Sequence, residues 1–224
     1  MRVLVIANRG DGDAGWVGEH LRDGHGAHLV RGWREEPEAW PELEGVDLVV
    51  ALGSDWSVYW DHVQTSVEAE AALVRQAHGQ GRPVLGICFG AQLLARALGG
   101  RVERAPEAEV GWYDLTVGPG APFDGGPWFQ WHVDRFEPPA TARVLAHTDR
   151  AVQAFALERT LAVQFHPEVT QDMVERWSAG DGVLELERLG VDRDELVAAT
   201  APYAVQRRRH TGAIVDAVLG PSLT

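Results

Sequence analysis

The sequence predicts an α/β fold: a doubly wound, mostly parallel sheet with appended antiparallel strands and a helical C-terminus. Three observations carry this. The apolar runs Val3–Ala7, Val46–Leu52 and Pro83–Leu85 are continuous but for Asp47, as in strands buried on both faces. Segments with helical spacing lie between and after them, which is the alternation of a parallel sheet. Beyond Gly99 the pattern changes to short strands with turns, and beyond Thr170 to helices.

Val3–Ala7 is the first strand, and a helix through Trp16, Val17, His20 and Leu21 follows the glycine-rich stretch from Asn8 to Gly15. That stretch satisfies the GxGxxG pattern at Gly10, Gly12 and Gly15. Asp11 and Asp13 would put negative charge where a pyrophosphate sits, so it reads as a flexible connection and not as a dinucleotide site. His28–Val30 is a short second strand, and residues 31–45 form a polar connection. Val46–Leu52 ends at Gly53-Ser54-Asp55, and Ser66–Gly79 carries Val67, Ala71, Val74 and Ala77 at helical spacing. The run at Pro83–Leu85 leads through a turn into a helix over Leu93–Leu98. Short strands are expected at Arg101–Arg104, Gly111–Val117, Trp128–Trp131, Ala142–Thr148, Ala151–Leu157 and Thr160–Phe165. Helices are expected at Gln171–Ala179, Leu184–Leu189, Arg193–Thr200 and Ala204–Leu219. The last would bury Ala204, Val205, Ala213, Ile214, Ala217 and Val218, with Arg207–His210 outside that face and paired with the acidic body.

A chain of 224 residues suffices for one well-buried core, so one domain over residues 1–224 is expected, with a helical extension from about residue 171. A formal charge of −13 argues against nucleic acid or an anionic membrane as partner. No apolar run reaches the length of a membrane span, and the N-terminus reads as a strand and not as a signal peptide. One cysteine excludes an internal disulfide and fits a cytoplasmic, reducing location. The absence of lysine excludes a P-loop lysine, a Schiff base and a pyridoxal phosphate anchor. His20, His25, His28, His62, His78, His147 and His210 show no convincing metal spacing, and neither metal nor cofactor is expected.

The chemistry concentrates in two segments. In Gly86-Ile87-Cys88-Phe89-Gly90 the single cysteine stands between a strand and a helix, with glycine two positions to either side. A nucleophile at such a turn projects from the sheet end, and the tight backbone admits only very small flanking residues. The N-terminus of the following helix favours a thiolate there. The run Thr160–Phe165 ends in His166-Pro167-Glu168. Side chains two apart on an extended backbone share a face, so Glu168 can orient the His166 imidazole. Nucleophile, base and orienter are then all present.

These two motifs, in this order and far apart in the chain, resemble the class I glutamine amidotransferases over roughly residues 1–175. They are most similar to stand-alone members related to the amidotransferase domain of GMP synthase, with a flavodoxin-like sheet. The resemblance implies a Cys88, His166, Glu168 triad and attack on a γ-glutamyl amide through a thioester. It implies an oxyanion hole from main-chain N–H groups at Gly53, Ser54 and Phe89, although Ser54 and Asp55 stand where the family usually has a second glycine and a proline. It also implies substrate contacts from Gln92, His132 and Asp134, with Val133 in place of a glycine. The substrate would be glutamine or another γ-glutamyl compound, and the ammonia would pass to a separate synthetase subunit. Two alternatives stay open: a free-standing γ-glutamyl hydrolase or peptidase, and a non-catalytic binding module that has kept the fold.

Overall fold

The computed structural model describes residues 1–223. An eight-stranded sheet forms its centre, built from β1 (Arg2–Ala7), β2 (His28–Trp33), β3 (Leu48–Ala51), β4 (Val84–Ile87), β6 (Thr116–Val117), β8 (Arg143–His147), β9 (Val152–Leu157) and β10 (Thr160–Val163). Its order is β2-β1-β3-β4-β10-β9-β8-β6. The first five of these are mutually parallel, and β9, β8 and β6 add on antiparallel. A separate antiparallel ribbon pairs β5 (Arg101–Tyr113) with β7 (Trp128–Glu137), with a register shift between Arg104 and Glu109.

Alternation along the buried strands divides the core into two layers. Val3, Val5, Val50 and Ile87 pack with Val17 and Leu21 of α1 (Gly15–His25) and with Ile214, Val215 and Val218 of α6 (Arg193–Leu219). Leu4, Ile6, Val49 and Val84 face the other way, against Val67, Ala71 and Val74 of α2 (Gln64–Gly79) and Leu93 and Leu94 of α3 (Phe89–Ala97). A third cluster lies under α4 (Gln171–Trp177) and α5 (Asp181–Leu189), where Met173, Val174 and Leu186 meet Val110 and Phe129 of the ribbon. No helix among the described residues is long and apolar enough to cross a membrane.

Four expectations need correction. The two short strands expected at 101–104 and 111–117 are largely one long strand, β5, because β7 pairs with it on both sides of an irregularity between Arg104 and Glu109. Arg193 to Leu219 is one helix that runs through Pro202, not two. Proline removes one helical hydrogen bond there, and the packing of residues on both sides of it holds the helix together. The buried face of that helix is also displaced. Val205 is 69% exposed, whereas Arg207 is buried, paired with Asp124 at 2.5 Å and lying over the Trp128 ring. Finally, the stretch from Asn8 to Gly15 is no loose connection. A Cβ at Gly15 would lie 1.9 Å from the Glu168 carbonyl oxygen, and the Trp16 N–H donates to that same oxygen at 2.9 Å.

Candidate active site

The parallel strands end on one side of the sheet, and the loops after β1, β3 and β4 meet there as the doubly wound topology requires. They line a cavity of about 690 Å³ that includes Cys88, His166 and Glu168. Cys88 has φ 51° and ψ −107°, a left-handed conformation that is strained for a side-chain-bearing residue. Its N–H is anchored to the Val163 carbonyl at 2.8 Å. Both flanking glycines are required by close approach. A Cβ at Gly86 would lie 2.6 Å from the Gly90 carbonyl oxygen, and one at Gly90 would lie 2.0 Å from that of Ala51.

His166 arrives from the end of β10, with its N–H bonded to the Phe129 carbonyl of β7 at 2.8 Å. The strand stops at Val163, so Pro167 and Glu168 lie in a turn and not on the extended backbone expected. The turn achieves the same pairing: His166 Nδ1 and Glu168 Oε1 are 2.8 Å apart, both residues buried. His166 Nε2 has no hydrogen-bonded protein partner. Burial alone would lower the imidazole pKa, but the Glu168 carboxylate and the Cys88 sulfur outweigh it and hold the group well above its ordinary value. Cys88 and Glu168 thus act on one ring. Trp177 packs against it from α4 in a tilted arrangement, 5.0 Å between centroids, and the Trp177 indole N–H donates to Asp11 at 2.7 Å.

Gly53, Ser54 and Phe89, expected at an oxyanion hole, lie next to Cys88 in space or in the chain. A Cβ built on Gly53 would lie 3.1 Å from His166 Cε1 and 3.7 Å from Cys88 Cβ, so this backbone passes directly beside both. Phe89 opens α3 immediately after Cys88. Among the described residues, neither the Ser54 nor the Phe89 N–H has a protein acceptor.

The three expected substrate contacts also border the cavity. The Asp134 carboxylate accepts from Ser57 Oγ at 2.5 Å and Tyr59 Oη at 2.7 Å. Gln92 Nε2 reaches the Asp134 carbonyl at 3.4 Å and Gln164 Oε1 at 3.3 Å. His132 Nδ1 meets the same carbonyl at 2.9 Å, and its Nε2 lies 3.2 Å from Glu109 Oε2 without hydrogen-bond geometry.

A family model described as "Glutamine amidotransferase class-I" matches residues 60–176, more than half of the chain. The chain belongs to that family. It is 36% identical over 174 residues to a glutamine-hydrolyzing GMP synthase of Aeropyrum pernix, covering 71% of this chain and 32% of that one. It is 46% identical over 124 residues to the Thermus thermophilus enzyme of the same name, covering 51% and 24%. This amidotransferase chain therefore spans a third or less of the length of those relatives. A crystal structure of a glutamine amidotransferase from Thermotoga maritima superposes with a TM-score of 0.89 at 26% identity, over 98% of both chains.

Several parts of the amidotransferase site were not foreseen. Arg34 and Glu70 form a wholly buried ion pair beneath the Leu52-Gly53 backbone. Ser57 and Tyr59 brace Asp134 from the loop after β3, and Trp131 and Trp177 wall the cavity. Their partners lie tens of residues away in the chain, so no local pattern marks them. His20 and His25, set aside in the sequence, share Asp216 Oδ1 at 2.8 and 2.7 Å on the surface, away from this cavity. They form the one cluster of metal-binding proportions among the described residues, and each imidazole there is already hydrogen-bonded to the carboxylate.

Proposed function

We propose that this amidotransferase hydrolyses glutamine at Cys88 and passes the ammonia to a separate synthetase. The observation that carries the reading is the meeting at one cavity of a strained, buried cysteine and an imidazole whose Nδ1 is held by Glu168 and whose Nε2 makes no hydrogen bond of ordinary geometry to protein. The Cys88 thiolate attacks the γ-carbonyl carbon. A C–S bond forms as the carbonyl electron pair moves onto oxygen, which the N–H groups of Ser54 and Phe89 receive. His166 gives its proton to the amide nitrogen, the C–N bond breaks and ammonia departs. Water then attacks the thioester while His166 takes its proton, the C–S bond breaks, and glutamate leaves. The Asp134 carboxylate suits the α-ammonium of the substrate, with Gln92 and His132 acting through the Asp134 carbonyl that both bond. The synthetase step is supported by the relatives, which are named as GMP synthases and are much longer than this chain. Glutamate release from glutamine, measured with and without a candidate synthetase, tests the reading. Cys88→Ala should abolish release with little change in thermal stability, because one small buried side chain replaces another.

A second reading, a free-standing γ-glutamyl amine hydrolase, is favoured by the cavity wall. Asp11, Asp55, Asp134 and Asp181 border it together with Trp56 and Trp177. None of these four carboxylates forms an ion pair with an arginine among the described residues, although Arg104 and Arg188 border the same cavity and Arg176 acts on Asp11 from a distance. Carboxylates and aromatic faces together suit a cationic leaving amine. A higher kcat/KM for a γ-glutamyl diamine than for glutamine, without any partner protein, would favour this reading.

A further inference from the structure

We propose that Arg34 is a positioning residue for this reaction: with Glu70 it fixes the peptide that presents the Ser54 N–H to the oxyanion. The inference rests on the Cys88 reading above. Arg34 follows β2, and its side chain is wholly buried, as is that of Glu70. An arginine has five N–H donors, and all five are used here. Nε donates to Glu70 Oε2 at 2.6 Å and Nη2 to Glu70 Oε1 at 3.1 Å. Nη1 donates to Asn8 Oδ1 at 2.5 Å. The remaining two go to main-chain carbonyls, Leu52 at 3.1 Å and Gly53 at 3.2 Å.

The carbonyl contacts give the arrangement its meaning. The peptide joining Gly53 to Ser54 is trans, since the sole cis bond among the described residues is Gly126-Pro127. In a planar trans peptide the C=O and the following N–H point in opposite directions. A guanidinium that holds the Gly53 oxygen on its own side therefore turns the Ser54 N–H to the other. His166 and Cys88 lie against Gly53, and the Ser54 N–H has no protein acceptor among the described residues. The same guanidinium lies 4.5 Å from the centroid of the Phe89 ring, so one group braces both residues that would donate to the oxyanion. A buried ion pair contributes little net stability over an apolar pair of equal volume. The two donors it sends to main-chain carbonyls are what an apolar pair could not replace.

The test replaces the pair as a unit, Arg34→Met with Glu70→Leu, so that no buried charge is stranded. Arg34→Lys alone serves as a second variant that keeps the charge but cannot span both carbonyls. Two rates are read: steady-state glutamine hydrolysis, and alkylation of Cys88 by iodoacetamide, a displacement at a saturated carbon that forms no oxyanion. We expect kcat to fall about 100-fold in the double variant and at least about tenfold in Arg34→Lys, with KM nearly unchanged. Alkylation should stay within about twofold of the native chain. A folded variant with native kcat, or alkylation that falls in step with kcat, overturns the positioning role alone. A native chain that releases no glutamate overturns the glutaminase reading and this inference with it.

Discussion

Two buried histidines stand beside two buried glutamates in this molecule, and the proposed chemistry falls to only one of the pairs. His166 meets Glu168 through Nδ1 at 2.8 Å, and His132 lies 3.2 Å from Glu109 through Nε2. The difference is in the second nitrogen. That of His132 is spent on the Asp134 carbonyl at 2.9 Å, so protein groups occupy both ends of the ring. That of His166 makes no hydrogen bond of ordinary geometry to protein and is left to Cys88, whose sulfur helps raise the imidazole pKa. A histidine next to an acid is therefore a weak sign of catalysis. What the opposite face of the ring is left to do decides the matter.

The comparison breaks most visibly at His166. His166→Asn should lower kcat for glutamine by about 10³-fold, within the usual range for an acid–base group, while KM changes little. His132→Asn should cost far less in rate, and similar losses in the two variants would erase the distinction.

Glu168→Gln should have the next largest effect, together with a shift in pH dependence. The folded His166 pKa lies well above the ordinary value, so its contribution to stability is complete below about pH 6.5, the unfolded value, and is lost as pH rises through the folded one. Removing the carboxylate deletes the largest raising influence and leaves burial, which lowers, opposed by the Cys88 sulfur alone. The alkaline fall of both Tm and kcat should then begin at lower pH than in the native chain. An unmoved alkaline limb would mean that Glu168 does not set the charge of His166.

The smallest effect on rate is expected at His132, where the consequence is mainly structural. His132→Asn removes the ring from beside the buried Glu109, whose one side-chain hydrogen bond among the described residues comes from Gln153 at 2.8 Å. A stability loss of about 1 to 3 kcal/mol by chemical denaturation is the expected size for an under-satisfied buried polar group. Native stability in this variant would show that Glu109 needs no support from the ring.

What the sequence made legible follows the same division between local and distant causes. The Cys88 turn could be read because its steric demands fall on Gly86 and Gly90, two positions away, where a Cβ would collide with backbone oxygens. His166 and Glu168 could be read because they are two residues apart, although a turn and not an extended strand brings them together. Arg34 could not. Its partners are Asn8, Leu52, Gly53 and Glu70, and in sequence Glu70 is one more acid on a helix with a polar face. Gly15 looked like looseness for the same reason, since the Glu168 carbonyl that forbids a side chain there is 153 residues further on. The C-terminal helix was misjudged at Pro202 and in its buried face because packing, not propensity, decides a helix held on both sides.

The central claim is that Cys88 forms a covalent bond to a γ-glutamyl carbon with His166 as its proton partner. A glutamine-like chloroketone, followed by intact mass measurement and peptide mapping, addresses it directly in a chain with one cysteine. The account predicts a single adduct per chain on Cys88, slowed by His166→Asn and prevented by competing glutamine. A folded native chain in which Cys88 stays unmodified, or reacts equally fast without His166, would contradict it.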